Sequence, residues 1–521
     1  MAVAPHALAS QSALAVLRDG GNAIEAMVAA AATISVAYPH MNGIGGDAFW
    51  LIVPPQGQPV AIDAAGPAAA NATIDAYRSA GHSVIPTRGP LAMNTVAGAV
   101  GSWEAALRIS KQHGGQLPLA RLLRDACDYA RDGVAVTASQ VSSTVNKFNE
   151  VAHQPGFAER FLIDGKAPQT GALFTQPTLA RFMEQLVADG LDSFYRGALA
   201  DKIAADFKSV GALLSIQDLN QFQPRVCHPL HLQVAEGTLY NMVPPTQGVI
   251  SLAILGILER VGIQRVRADS ADYIHLCVEA TKQAFKLRDE FVTDPAYMAL
   301  DPQALLDAPR LDALAKEVKL AKALPWGKAL EPGDTVWMGA VDSTGLAVSF
   351  IQSIYHEFGS GVVLPATGLN WQNRGASFSL DAAHLRALLP RKKPFHTLNP
   401  AAAILTDGRR MVYGTMGGDG QPQTQAAVYS RAIWFGQPLQ QAISAPRWLL
   451  GRTWGQSSDT LKLERRIPDA IVHDLEKRGH DIEMLSALDE AVGHAGAIIR
   501  NPNGVLEGGS DPRSDGCVAA Y

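Results

Sequence analysis

A threonine at the start of a predicted strand has the clearest chemical potential in this chain. Residues 333–350, GDTVWMGAVDSTGLAVSF, alternate as two strands of a hairpin around a turn at Asp342–Gly345, and Thr335 begins the first strand. A loop that contains Pro332 and Gly333 precedes it. A threonine hydroxyl within a chain is a poor nucleophile unless a base accepts its proton. On its own, a threonine here is explained as a strand-forming residue.

Cleavage of the chain before Thr335 would supply the missing base. If the bond between Asp334 and Thr335 were cut, the new α-amino group, with an ordinary pKa of about 7.7–8.0, could take the hydroxyl proton. The same hydroxyl could make the cut, by attacking the Asp334 carbonyl and forming an ester that water releases. The residues alone leave open whether Thr335 is such a nucleophile or a structural residue of a sheet.

Several common enzyme signatures are missing from the sequence. There is no GxxxxGK[ST] phosphate loop, no GxSxG elbow and no HExxH zinc motif. Of the fourteen histidines, we identify none at i, i+4 metal-ligand spacing with a second acid. The glycine-rich segment Gly417–Gly420 lacks the lysine of a phosphate cradle. We therefore expect neither a metal nor a cofactor.

Composition and charge narrow the class of partner. The chain has 521 residues, 47% of them hydrophobic, and a formal net charge of -5 without a basic stripe. A nucleic-acid partner or an anionic membrane is therefore not expected. The N-terminus lacks a basic region followed by a continuous apolar core, which predicts a cytoplasmic protein. The alanine-rich stretch 23–37 is too short to span a bilayer and is predicted to be a buried helix.

The predicted elements alternate in blocks of helices and short strands. Helices are expected at residues 6–19 and 22–36, and periodic apolar residues predict a mostly helical region at 100–290. After Thr335 short strands and tight turns dominate, with helices at about 423–435 and 468–479. Such blocks favour an α+β fold with sheets between helices over a parallel βαβ sheet.

Five separate motifs, in order along the chain, carry a family resemblance. They are ASQSALAVLRDGGNAIEAMVAA, YPHMNGIGGDAF, TVWMGAVDSTGLAVSF, GTMGGDGQPQ and DPRSDG. With them the chain resembles the γ-glutamyltranspeptidase family of N-terminal-nucleophile hydrolases over nearly its whole length. The resemblance implies an αββα sandwich and autocleavage between Asp334 and Thr335. It implies a large subunit of residues 1–334 and a small subunit of residues 335–521, which stay intertwined as a heterodimer.

The resemblance also assigns catalytic roles by family position. Thr335 would be the nucleophile. The backbone N–H groups of Gly417 and Gly418 would form the oxyanion hole, where preorganised donors meet developing negative charge. Ser353 falls where the family has a threonine whose hydroxyl bonds to the nucleophile.

The residues with which the family binds the α-carboxylate and α-ammonium of an amino-acid substrate (the amino-acid clamp) are replaced in this sequence. Ala65 occupies the position of the arginine that holds the α-carboxylate, and Ser377 that of the acid that holds the α-ammonium. His396 and Thr397 replace a pair of serines that bind the carboxylate. A zwitterionic γ-glutamyl group should not be favoured, because burying an ammonium without a partner is costly.

The same alignment with the family's motifs places other side chains near the nucleophile, and these suggest a different substrate. Arg374 replaces a neutral polar residue of the family pocket, and an arginine fork suits a carboxylate. Tyr355, His356, His396 and Thr397 complete the predicted substrate-binding set. We expect a short amide that carries a carboxylate but no α-amino group, such as oxamate. The sequence also resembles the branch of the family that includes oxamate amidohydrolases of purine breakdown.

Three alternatives remain open from the sequence. The chain could be a γ-glutamyltransferase or glutathione hydrolase, an acylase for longer side chains such as the cephalosporin acylases, or a processed but inactive binding protein. The expected partner is a small-molecule amide. Whether two heterodimers associate further is open.

Overall fold

Two antiparallel sheets face each other in the centre of the molecule, and helices cover the outer face of each. The computed structural model describes residues 1–326, 334–452 and 458–521, so Pro332 and Gly333 lie outside the described residues. Phe49 and Ile351 of one sheet pack against Ala402 and Val412 of the other in one buried cluster. This arrangement confirms the predicted α+β, αββα class.

Eighteen strands are seen in the described ranges. In chain order they are β1 (Ala2–Ala4), β2 (Asp47–Val53), β3 (Val60–Ala64), β4 (Val134–Ala135), β5 (Leu173–Phe174), β6 (Arg225–Cys227), β7 (Leu230–Val234), β8 (Gly237–Asn241), β9 (Asp334–Val341), β10 (Ala347–Tyr355), β11 (Ala401–Leu405), β12 (Arg410–Thr415), β13 (Trp448–Leu450), β14 (Leu461–Glu464), β15 (Ile482–Leu485), β16 (Ala495–Arg500), β17 (Leu506–Ser510) and β18 (Cys517–Ala519). The two large sheets have the orders β18-β1-β9-β10-β2-β3-β6 and β17-β16-β12-β11-β8-β7.

Sixteen α-helices surround these sheets in the same ranges. They are α1 (Ala7–Arg18), α2 (Ala23–Ala37), α3 (Ile74–Ser79), α4 (Ala99–Gln112), α5 (Leu119–Asp132), α6 (Ala138–Val151), α7 (Phe157–Phe161), α8 (Pro177–Asp189), α9 (Ala198–Val210), α10 (Ile216–Gln221), α11 (Gly248–Arg260), α12 (Ala271–Phe291), α13 (Ala308–Glu317), α14 (Gln421–Tyr429), α15 (Leu439–Ser444) and α16 (Asp469–Lys477). Across the described ranges, each helix is either too short or too polar to cross a bilayer.

The alanine-rich segment folds as predicted. Helix α2 spans Ala23–Ala37, and every one of its residues is buried. Asn22 and Glu25 form a capping box at its N-terminus, which satisfies backbone donors that have no partner within the helix. Small side chains let α1 and α5 pack closely on both sides of α2.

Trp337 explains how closely the two sheets approach. Its indole lies between the sheets, and its Nε1 donates to the Ser349 hydroxyl at 2.9 Å. A Cβ atom at Gly414 would come within 2.1 Å of this ring, and one at Gly496 within 2.4 Å. Both glycines on the facing sheet therefore make room for the tryptophan.

Segments before and after residue 335 share both large sheets. Strands β1, β2, β3 and β6 precede Thr335, whereas β9, β10 and β18 of the same sheet do not. In the other sheet β7 and β8 precede it, and β11, β12, β16 and β17 follow. A cut before Thr335 would leave two pieces that complete each other's sheets. The cut itself and the division into 1–334 and 335–521 remain predictions.

Candidate active site

Thr335 lies fully buried near the start of β9, opposite an irregularity in β10. Gln352 pairs with Val336 and Tyr355 with Asp334, so two residues of β10, Ser353 and Ile354, lie across from Thr335 alone. Such a bulge twists the strand and redirects side chains next to active sites.

The bulge holds Ser353 and Tyr355 in a fixed relationship. The Ser353 hydroxyl accepts a hydrogen bond from the backbone N–H of Tyr355 at 2.8 Å. Tyr355 has a φ of +82°, a conformation that costs energy for a residue with a bulky side chain. On the other side of β10, Ser353 pairs with Asp47 of β2.

Gln421 contacts Thr335, and this contact was not predicted from the sequence. Its Nε2 lies 3.4 Å from Thr335 Oγ1 as a hydrogen-bond donor. Its Oε1 accepts from Asn399 Nδ2 at 3.2 Å, and Ser251 donates to Asn399 at 2.8 Å. The glutamine follows directly after the glycine-rich motif in GTMGGDGQPQ, which was the available signal.

Gly417 and Gly418 form a tight turn between β12 and α14. Their φ angles are +113° and +53°, in the region that favours glycine, and Gly420 N–H donates to Gly417 O at 2.8 Å. The next residue, Asp419, is fully buried with its Oδ2 3.0 Å from Arg288 Nη1. This ion pair anchors the turn, and donation by the two glycines to an oxyanion remains a prediction.

Gln247 ties the glycine turn to the predicted substrate-binding segment. Its Nε2 donates to Gly418 O at 2.9 Å and to Thr397 O at 3.0 Å. Its backbone N–H also donates to His396 O at 3.0 Å. Gln247 therefore holds the glycine turn and the His396–Thr397 segment in a fixed position relative to each other.

Arg374 is a buried cation without a hydrogen-bond acceptor. It is 1% exposed, and Nε, Nη1 and Nη2 all lack an acceptor among the residues that the structure describes. Its guanidinium carbon lies 3.8 Å from the centroid of the Tyr355 ring. Burial lowers the pKa of Arg374 to about 10, while Tyr355 and Asp47 act in the opposite direction. The side chain stays protonated at neutral pH, and its N–H groups are available to an anion.

Asn373 positions the segments that carry Arg374 and His356. Its Oδ1 accepts from the His356 backbone N–H at 3.1 Å, and its Nδ2 donates to Thr87 O at 2.8 Å. The His356 ring is partly buried, with its centroid 4.4 Å from that of Tyr355. The structure thus brings Arg374, Tyr355 and His356 together, and their role in substrate binding remains a prediction.

His396 and Asp47 meet at the base of this group. His396 Nε2 lies 3.0 Å from Asp47 Oδ2, and both side chains are fully buried. Burial, reinforced by the charge of Arg374, lowers the pKa of His396 well below its usual value. Burial raises the pKa of Asp47 to about 7, although hydrogen bonds and Arg374 oppose the shift. Asp47 Oδ1 accepts from Gly98 and Gly66 N–H at 2.9 and 3.1 Å.

Thr397 adds a hydroxyl to the same polar region. Its Oγ1 is buried and lacks a hydrogen-bond partner in the described parts of the chain, as does His396 Nδ1. Buried polar atoms are nearly always satisfied, so a group of them next to an unpaired arginine indicates a ligand. The region carries net positive character and suits a small polar anion.

Comparison with known proteins decides the family. Residues 9–521 match the family model for gamma-glutamyltranspeptidase. The chain belongs to the γ-glutamyltranspeptidase family. It is thus an N-terminal-nucleophile hydrolase, an enzyme of the amidohydrolase class.

Three members of this family are similar to the chain over nearly their whole length. It is 60% identical to an oxamate amidohydrolase proenzyme of Klebsiella pneumoniae subsp. pneumoniae, over 100% of the chain and 98% of that relative. It is 40% identical to the glutathione hydrolase-like YwrD proenzyme of Bacillus subtilis, over 99% and 98%. The crystal structure of a cephalosporin acylase from Bacillus halodurans superposes with a TM-score of 0.90 at 33% identity, covering 100% of this chain and 95% of that one.

Two positions of the family's amino-acid clamp have other tasks in this γ-glutamyltranspeptidase-family chain. The Ser377 hydroxyl donates to Phe395 O at 3.1 Å and thus supports the backbone beside His396. Ala65 is fully buried, and its backbone N–H donates to Asp63 at 3.0 Å. Neither side chain can pair with a substrate charge.

Among the residues that the structure describes, one group of potential metal ligands occurs away from this site. The prediction that no histidine stands at i, i+4 from an acid in a ligand pattern is wrong, because His275 and Glu279 do so on α12 and meet His480. Sequence spacing alone could not place His480 beside them. The Lys282 ammonium lies 2.7 Å from Glu279 Oε1 and already neutralises the carboxylate, so we assign no metal there.

Proposed function

We propose that this chain is an autoprocessed amidohydrolase that cleaves a short amide bearing a carboxylate, with oxamate as the simplest candidate. The observation that carries the proposal is Arg374, which is buried against Tyr355 at the end of β10, with all of its nitrogens unpaired among the described residues. A buried charge is stable only with a partner. A carboxylate accepts two parallel N–H bonds from a guanidinium and would complete the site.

In the part of the chain that the structure describes, a serine stands at the predicted family position of the acid for a substrate ammonium, which argues against a γ-glutamyl substrate. Ser377 replaces the family acid and is bound to Phe395 O. Asp47 is the carboxyl group that interacts with Arg374, but its Oδ1 already accepts two backbone bonds. The site therefore favours an acid amide without an amino group.

The reaction would proceed through an ester on Thr335. After cleavage of the chain, the α-amino group takes the hydroxyl proton while Oγ1 attacks the amide carbon. The Gly417 and Gly418 N–H groups stabilise the oxyanion. Collapse breaks the C–N bond, and the departing nitrogen receives the proton and leaves as ammonia. Water then hydrolyses the ester, so that oxamate and water give oxalate and ammonium.

The relatives support both the reaction and the maturation. The Klebsiella pneumoniae protein that is 60% identical is named an oxamate amidohydrolase and a proenzyme. The relatives named glutathione hydrolases and the structure named cephalosporin acylase give the competing substrates. Ser377 disfavours the γ-glutamyl compound, and the relative named for oxamate favours the short acid amide over a glutaryl amide.

A substrate panel tests the proposal. Purified protein is incubated with oxamate, a glutaryl amide and a γ-glutamyl anilide, and released ammonia or amine is measured, with Thr335→Ala as the blank. We expect oxamate to have the highest kcat/KM. Faster turnover of the γ-glutamyl or glutaryl compound would refute the substrate class, and no turnover of any compound would favour a binding protein.

A further inference from the structure

A cavity separate from the candidate active site lies at the far end of the helix that begins beside Thr335. Helix α14 starts at Gln421, which contacts Thr335, and continues into a π-helical turn at Ser430–Trp434. At this end is a cavity of about 390 Å³. The ends are separated by roughly 15 Å, at 1.5 Å per residue. A volume of this size is within the range of small-molecule sites.

Arg431 is the central feature of this cavity. It lines the cavity and is 2% exposed, and only its Nη2 has an acceptor, Pro446 O at 3.0 Å. Nε and Nη1 are buried without an acceptor in the described parts of the chain. A guanidinium with two of its three nitrogens unpaired and shielded from water lacks the anion that would offset its desolvation.

The surroundings hold Arg431 in place. Its guanidinium carbon lies 5.3 Å from the Tyr273 ring centroid and 5.6 Å from that of Trp448. The Tyr273 hydroxyl hydrogen-bonds to Ser430 Oγ at 2.7 Å within the same turn. Single π-helical turns occur frequently at functional sites. The two unpaired nitrogens are therefore held in fixed positions.

The other residues that line the cavity indicate what the rest of a ligand, beyond the group bound by Arg431, would look like. Gln437 Oε1 is a buried acceptor with no donor among the described residues. Aliphatic side chains form one wall: Ile274, Ile467, Pro468 and Ile471. At the edge lie Asp269 and Arg466, and Arg466 Nη1 already donates to Ser444 O at 2.9 Å. The combination fits a carboxylate attached to an apolar body, with an N–H donor for Gln437.

We propose that this cavity is a binding site for a small carboxylic acid with an apolar body, separate from the catalytic centre, with Arg431 holding the carboxylate. It shares no residue with the group around Arg374, and its apolar wall suits a larger acid than oxamate. The site does not depend on the proposed substrate.

Ligand-observed ¹⁹F NMR with 4-fluorobenzoate tests the site. The full-length Arg374→Gln variant is used, so that the catalytic arginine cannot bind the probe. We expect saturable binding, weakened at least tenfold by the additional change Arg431→Gln. The neutral 4-fluorobenzamide should bind at least tenfold more weakly than the acid. Equal affinity of acid and amide, or unchanged binding after Arg431→Gln, would overturn the proposal.

A second variant keeps the test decisive if Arg431→Gln does not fold. Ile471→Trp changes a partly buried residue on α16 and fills the cavity without altering Arg431. Binding should be lost in this variant too, whereas Arg260→Gln, on a surface ion pair elsewhere, should leave it unchanged. Retention of binding in Ile471→Trp, or its absence from Arg374→Gln itself, would contradict the assignment.

Discussion

The guanidinium carbon of Arg374 lies 3.8 Å from the centroid of the Tyr355 ring. A cation over an aromatic face is stabilised without using its N–H groups, which remain available to an anion. Tyr355 reaches this place because its φ is +82°, at the end of a strand bulge opposite Thr335. The same irregularity therefore shapes the surroundings of Thr335 and places the aromatic ring against Arg374.

Replacement of Thr335 should stop maturation. Wild-type protein should appear on denaturing gels as two pieces, residues 1–334 and 335–521, while Thr335→Ala should give one. Thr335→Ser keeps a hydroxyl and should still be cut, although more slowly. Intact mass spectrometry of the small piece should place its N-terminus at Thr335. An active wild type that remains a single chain would contradict autoprocessing.

The charge state of Asp47 should set a pH dependence of substrate binding. Its pKa is raised to about 7 by burial, so it is largely neutral at pH 6 and ionised at pH 8. Ionised Asp47 competes with a substrate carboxylate for the positive charge of Arg374. We expect the KM for oxamate to rise several-fold from pH 6 to pH 8. In Asp47→Asn this rise should disappear, because the amide oxygen still accepts from Gly66 and Gly98 but carries no charge.

The raised pKa of Asp47 also predicts how the free energy of unfolding changes with pH. A carboxyl group with a folded pKa of about 7 and an unfolded value near 3.8 binds more protons when folded. The free energy of unfolding must therefore fall on account of Asp47 as pH rises from about 4 to 7. Thermal unfolding should show Asp47→Asn gaining stability relative to wild type over this range. A constant difference between the two proteins would show that Asp47 does not titrate as described.

The ion pair behind the glycine turn should matter for stability and rate. Arg288→Gln leaves Asp419 buried without its cation, which should cost about 3 kcal/mol. It should also lower kcat, because the Gly417–Gly418 turn loses its anchor. The matched control is Arg260→Gln, whose partner Asp312 is 55% exposed and whose loss should cost at most about 1 kcal/mol. Equal thermal shifts in both variants would contradict the anchoring role.

Local periodicity was sufficient to predict much of the fold. The alternating pattern around Asp342–Gly345 gave the β9–β10 hairpin, and small apolar residues gave α2 as a fully buried helix. Family register, and not local pattern, suggested that Arg374 and Tyr355 both line the substrate pocket, and in the structure the two side chains are in contact. These features depend on neighbouring residues or on a shared alignment.

Long-range contacts account for what was missed. Asp47 stands in GIGGDAF, where the family motif has a glycine, but its contact with His396 appears only when β2 packs beside the segment that carries His396. Gln421 likewise acquires a role because α14 starts next to β9. A raised carboxyl pKa comes from burial by many elements, which a sequence pattern cannot express.

The discrimination between oxamate and its neutral diamide oxamide tests the central claim about Arg374 most directly. In wild type, a charge-assisted pair should favour oxamate on the order of 100-fold in kcat/KM. Arg374→Gln restores the neutral polar character found at this position in the family and should reduce the preference to near one. A wild type without the preference, or an Arg374→Gln variant that keeps it, would contradict the account.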